Sequence, residues 1–96
     1  MEHKMTNEQI TIGLQTLDDW KFTDGFLTKS LKFKNFKETF SIMTQIAFEC
    51  EHQGHHPNWE NVYNNLTIRL NTHDVGGITE KDFVLAKSID TITAGR

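Results

Sequence analysis

Cysteine is almost absent from this sequence: Cys50 is the only one in 96 residues. A single thiol excludes an intrachain disulfide and a cysteine-built zinc site, and it gives no reason to expect an oxidising compartment, so the cytoplasm is the default location. Long apolar runs are missing as well. Met1 to Gln9 is polar and lacks the hydrophobic stretch of a signal peptide, and no segment offers the roughly 20 apolar residues needed to cross a bilayer. A soluble protein with no membrane partner is expected. There is no basic excess: the net charge is −3, and the lysines between Lys29 and Lys37 alternate with Phe and Leu at structural spacing, which argues against a nucleic-acid partner. Proline occurs once, and a hydrophobic fraction of 36% is that of a packed domain and not of a disordered tail. No repeat, low-complexity tract or linker breaks the chain, so one domain is expected over residues 1–96. At this length folding buries roughly two thirds of the unfolded surface, and self-association would help.

What is present falls into seven elements. Ile10, Leu14 and Leu17 lie at helical spacing behind Thr6 as N-cap, with acidic Glu8 in the first turn, which predicts a helix over Asn7–Leu17. Trp20–Thr23 and Ser30–Lys34 alternate apolar and polar side chains around Asp24-Gly25, a pair suited to positive φ, and read as a hairpin. From Asn35 the period changes. Phe36, Phe40, Met43, Ala47 and Cys50, widened by Ile42 and Ile46, predict a long amphipathic helix that must stop near Gly54, because Pro57 biases His56 away from helical dihedrals. Trp59–Tyr63 and Leu66–Thr72 read as a second hairpin turning at Asn64-Asn65. After Gly76-Gly77, Thr79-Glu80-Lys81-Asp82 opens a third helix with Leu85, Ala86, Ile89 and Ile92 inward. The order α-β-β-α-β-β-α predicts an α+β fold, a four-stranded antiparallel sheet with three helices packed on one face.

Four of the five histidines fall in two places: His52, His55 and His56 around the end of the second helix, and His73 at the end of the fourth strand. A metal site is one reading, since His52 and His56 are four apart. A helical zinc-hydrolase motif, however, needs Glu directly after its first His, and here Gln53 stands there, followed by Gly54 and a pre-proline His56. A second reading has His55 and His56 capping carbonyls at a helix C-terminus, where the macrodipole favours a cation. It leaves His73 and Asp82 unexplained. Spacing alone stops at a candidate acid/base site, with the histidines outside the three apolar stripes.

His55-His56-Pro57-Asn58-Trp59, Val62-Tyr63-Asn64, Thr72-His73-Asp74 and Gly77-Ile78-Thr79-Glu80-Lys81-Asp82 together resemble the pterin-4a-carbinolamine dehydratase family. Leu17, Trp20, the aromatic spacing Phe33/Phe36/Phe40 and the run into Glu51 extend the resemblance more loosely, over about residues 10 to 92. It implies a catalytic centre of His55, His56 and His73. Glu51 and Asp82 would be supporting carboxylates, Pro57 would shape the loop, and Trp59 would flank the substrate if it is not simply core. The resemblance also implies a pterin substrate, no metal or other cofactor, a place in tetrahydrobiopterin recycling and a homodimer or homotetramer. Members of the family are further implied to act as dimerisation cofactors or transcriptional coactivators, a binding role that an exposed stripe containing Met43 would serve.

The implied chemistry suits imidazole. A 4a-carbinolamine loses hydroxide from one ring carbon and a proton from the adjacent ring nitrogen, which requires an acid and a base near neutral pH and no change of oxidation state.

Overall fold

The hairpin and helix signals resolve into a four-stranded antiparallel sheet with helices on one face. The computed structural model describes residues 3–95; Met1, Glu2 and Arg96 of the expected domain lie outside the described residues. Helices α1 (Asn7–Leu14), α2 (Phe36–Gln53) and α3 (Glu80–Thr93) alternate with strands β1 (Lys21–Thr23), β2 (Phe26–Lys32), β3 (Asn58–Val62) and β4 (Asn65–Leu70). Strand order is β1-β2-β4-β3, every neighbour antiparallel, so the order and class follow the pattern predicted above. No helix among the described residues is long and apolar enough to cross a membrane.

Alternation decides which face is covered. Leu27, Leu66, Ile68 and Leu70 are fully buried on the inner face, and they meet Ile42 and Ile46 of α2 and Leu85 and Ile89 of α3 in one core. Each such side chain contributes about 1.5–3 kcal/mol by leaving water. Gly13 lets α1 approach α3: a Cβ there would stand 2.7 Å from the Phe83 ring.

Local chemistry sets the ends of the elements. Thr6 with Gln9, and Thr79 with Asp82, form complete capping boxes at α1 and α3, and the Asn35 side chain caps α2. Helix α1 ends at Leu14, three residues earlier than the periodicity predicts, because Gln15, Thr16 and Leu17 turn their N–H groups to carbonyls three residues back and tighten the chain out of the helix. Asp24 and Gly25, at φ 53° and 83°, make the tight turn of the first hairpin, and β2 starts directly after them at Phe26, ahead of the expected Ser30.

The second hairpin turns one residue earlier than expected. Tyr63 takes the positive φ of 53°, not Asn65, which pairs with Val62 in the ladder. Asn61 explains this, since its side-chain amide donates to the carbonyls of both Tyr63 and Asn65 at 2.9 Å and braces the turn from inside.

Helix α2 requires a larger correction. Its buried line is Thr39, Ile42, Ile46 and Cys50, while Phe36, Phe40 and Ala47, expected inward, are exposed and Met43 is half-buried. At 3.6 residues per turn the two lines lie about a quarter turn apart, and both are apolar enough to be taken for one broad stripe. Lys29, first of the lysines interleaved with Phe and Leu, is buried. It is 6% exposed on the inner face, with Nζ 2.9 Å from Asp90 Oδ1, and the same oxygen accepts from Trp20 Nε1 at 2.8 Å.

Candidate active site

The site is assembled where α2 ends, β4 ends and α3 begins. Gly54, at φ 64°, closes α2 in the left-handed conformation, and the N–H groups of Gly54 and His55 cap the carbonyls of Cys50 and Glu51. Backbone therefore does the capping, and the imidazoles of His55 and His56 are turned to carboxylates instead. After β4, Thr72 and Gly77 form an isolated bridge that closes a tight loop, and His73 opens a 3₁₀ turn (His73–Val75) within it. His73 thus stands past the end of the strand, not on it.

His55 is only 9% exposed, inside the core boundary where the sequence pattern puts it outside. Its Nε2 lies 2.6 Å from Oδ1 of Asp82, a carboxylate with no exposure at all. Asp82 Oδ2 accepts the backbone N–H of Thr79 and the hydroxyl of Thr72, both at 2.9 Å. His56 makes a bond of the same length, 2.6 Å from Nε2 to Glu51 Oε2, but in the open, with the two side chains 62% and 75% exposed. His73 is exposed and, among the described residues, its imidazole has no side-chain or backbone hydrogen bond.

All three imidazoles line one cleft of about 480 Å³, together with Asn58, Asn71, Asp74 and Lys81. A smaller, more apolar recess of about 280 Å³ adjoins it across His55 and Lys81 and reaches Val84. Glu51 and Asp82 bond their histidines but do not themselves line the cleft. Pro57 is half-buried in the loop between His56 and β3, and Trp59 packs on the core side of the sheet opposite Ile68; neither is part of the cleft lining. His52, on the last turn of α2, is exposed and outside the cleft as well. Among the described residues, no group of three or more His, Cys, Asp or Glu side chains is gathered closely enough to hold a metal ion.

Sequence spacing passes over Asn58, Asn71, Asp74 and Lys81 as cleft residues, and over Thr72 as a partner of Asp82. The signal available was the Thr79-x-x-Asp82 capping box, which puts the Asp82 carboxylate at the start of α3, where one oxygen remains for a neighbour. Cys50 lies under the helix end, and burial pushes its thiol up to about 11, so it is protonated and unreactive at neutral pH.

The model of the pterin 4 alpha carbinolamine dehydratase family matches residues 3–92. The chain belongs to that family. It is similar to a protein of Christiangramia forsetii, provisionally named a pterin-4-alpha-carbinolamine dehydratase, with 50% identity over 96% of this chain and 95% of the relative. A provisionally named relative from Prochlorococcus marinus is 47% identical, covering 96% of this chain and 97% of its own. Among solved structures, a transcriptional coactivator/pterin dehydratase from Brucella melitensis superposes with a TM-score of 0.93 at 35% identity, over 96% of this chain and all of that one. The family match therefore covers every element of the α+β fold except the last residue of α3, and it includes the segment that carries His55, His56, His73 and Asp82.

Proposed function

We propose that this protein is a hydro-lyase that removes water from a 4a-hydroxytetrahydropterin to give quinonoid dihydropterin, in the cytoplasm, as a step of tetrahydrobiopterin recycling. The carrying observation is that three imidazoles of different surroundings face one cleft of about 480 Å³, within the roughly 300–1,000 Å³ range of small-molecule sites.

In the reaction the C4a–O bond breaks, the N5–H bond breaks and a C4a=N5 double bond forms, with water as the second product. No electrons are gained or lost, so the chemistry asks for a proton donor at the hydroxyl and an acceptor at the nitrogen. His55, His56 and His73 supply both, since imidazole is populated in both protonation states near neutral pH. Asp82 holds His55 through a buried bond, and Glu51 bonds His56 at the same distance in solvent. His73, with no such partner, is free to turn toward the substrate. Pro57 sets the loop that separates His56 from β3, and Trp59 supports that strand from the core side. The reading needs no metal and no redox cofactor.

The test is direct. The purified protein should accelerate dehydration of enzymatically generated 4a-hydroxytetrahydropterin above the spontaneous rate, and should do so equally after exhaustive chelation. Absence of acceleration would overturn the reading, and chelator-sensitive turnover with stoichiometric metal would overturn its metal-free form.

The exposed face of α2 supports a second, compatible reading. Phe36 and Phe40, 48% and 56% exposed with ring centroids 5.8 Å apart, form an apolar surface with Ala47 that a partner chain would cover. A homodimer or homotetramer is the first form this takes. A role as a dimerisation cofactor or transcriptional coactivator, the first half of the description given to the Brucella melitensis protein, is the other.

A further inference from the structure

Thr72 is 4% exposed and Thr79 1% exposed, and buried hydroxyls persist only when bonded. Their protons can be followed one by one. The Thr72 hydroxyl donates to Asp82 Oδ2 at 2.9 Å. A hydroxyl has one proton, so Thr72 cannot also donate to Thr79 Oγ, 2.7 Å away; Thr79 must donate to Thr72. Thr79 Oγ in turn accepts the Lys81 N–H at 3.2 Å. The chain of donors therefore runs from α3 backbone through Thr79 and Thr72 to Asp82.

Asp82 Oδ2 also takes the Thr79 N–H at 2.9 Å, so this oxygen has two donors and Oδ1 is left to face His55. With Asp82 as the acceptor-only carboxylate, the donor of the 2.6 Å bond is His55 Nε2–H. In the neutral imidazole this leaves the lone pair on Nδ1, and His55 lines the cleft. The capping box alone does not account for Thr72: Thr79 and Asp82 already complete it. What the Thr72 hydroxyl adds is a second donor on Oδ2, which sets the rotation of the carboxylate. The same residue starts the turn that displays His73, through its N–H to Gly77 O at 2.7 Å and its carbonyl from Val75 N–H at 3.2 Å.

We propose that Thr72 is a positioning residue: its hydroxyl, supplied by Thr79, orients Asp82 so that His55 keeps its proton on Nε2 and presents Nδ1 to the cleft as the proton acceptor. This rests on the dehydratase reading for its effect on turnover, but its effect on His55 is measurable without substrate. Groups that orient a metal-ligating histidine through a carboxylate change activity by about 10- to 100-fold when removed, and an effect of that size is expected here.

The experiment compares wild type, Thr72→Val, which keeps shape and loses the donor, and Thr72→Ser, which restores it. Nitrogen-15 and proton NMR of the histidine side chains gives the His55 tautomer and the solvent exchange of its ring proton. Wild type should show a protected Nε2 proton, lost to exchange in Thr72→Val and recovered in Thr72→Ser. In the dehydration assay kcat should fall about 10- to 100-fold in Thr72→Val with KM little changed, and recover in Thr72→Ser. A wild-type proton on Nδ1 overturns the proposal even if the valine variant does not fold. So does a folded valine variant with the same protected proton and wild-type kcat. If wild type shows no dehydration while the NMR behaves as stated, the positioning of His55 stands and the dehydratase reading falls.

Discussion

His55 Nε2 and Asp82 Oδ1 stand 2.6 Å apart across 27 positions of sequence, and the carboxylate is entirely buried. His56 and Glu51 repeat that distance five positions apart, in solvent. Equal lengths hide unequal energetics, because an exposed pair is screened and worth about 0–1 kcal/mol, while a buried acceptor left unmade costs its full desolvation.

Alanine at the three histidines should therefore separate them by stability. His55→Ala deprives Asp82 Oδ1 of its donor and should cost about 1–3 kcal/mol. His56→Ala and His73→Ala, both at exposed positions, should stay within about 0.5 kcal/mol of wild type. Urea denaturation of the three variants checks this. Equal losses at His55 and His56 would show that the buried bond contributes no more than the surface one.

A second buried charge gives an independent check on the core. Asp90→Ala removes the carboxylate 2.9 Å from the buried Lys29 ammonium and leaves only Asp18, 3.7 Å away and exposed. A loss approaching about 3–5 kcal/mol is expected, because the buried ammonium keeps only this longer, solvent-screened contact. Lys29→Met in the same background should recover most of it, and denaturation of the single and double variants gives the comparison.

The fold was legible wherever its determinants are local. Thr6, Asn35, Gly54 and Thr79 mark helix ends because capping acts over three or four residues, and Asp24-Gly25 marks a turn because positive φ is a property of those residues. Phe36 and Phe40 misled because two apolar lines a quarter turn apart carry the same periodicity, and only the sheet decides which is buried. Neither the His55–Asp82 bond nor the Lys29–Asp90 pair could be read from spacing, since their partners are 27 and 61 positions apart. The histidines stood out by clustering in the sequence and took their roles from a resemblance in motif, whereas the bond from Thr72 to Asp82 exists only in the folded chain.

Cys50 should behave as core. With the thiol raised from 9.0 to about 11 by burial, the folded state holds its proton more tightly than the unfolded chain. The stabilisation from this group is complete below pH 9 and is lost as pH rises toward 11. A thiol reagent at pH 8 should leave Cys50 unmodified in the folded protein and label it in denaturant. Rapid labelling of the folded protein would contradict the burial.

Association should depend on the exposed face of α2. Phe36→Asp with Phe40→Asp replaces two rings that are 48% and 56% exposed and absent from the buried core, so the fold should survive. Light scattering at micromolar concentration should show wild type as an oligomer and the double variant as a smaller species. A monomeric wild type would contradict the oligomer proposal.

The central claim is that the three cleft histidines transfer the protons of a dehydration. Its most direct test is the rate of loss of 4a-hydroxytetrahydropterin in the presence of wild type, His55→Ala, His56→Ala and His73→Ala, measured at equal concentration of folded protein and corrected for the spontaneous reaction. The account predicts a fall of about 10²- to 10⁴-fold for each variant. Wild-type rates in all three would mean that the imidazoles are structural and that the proton transfers belong to other groups.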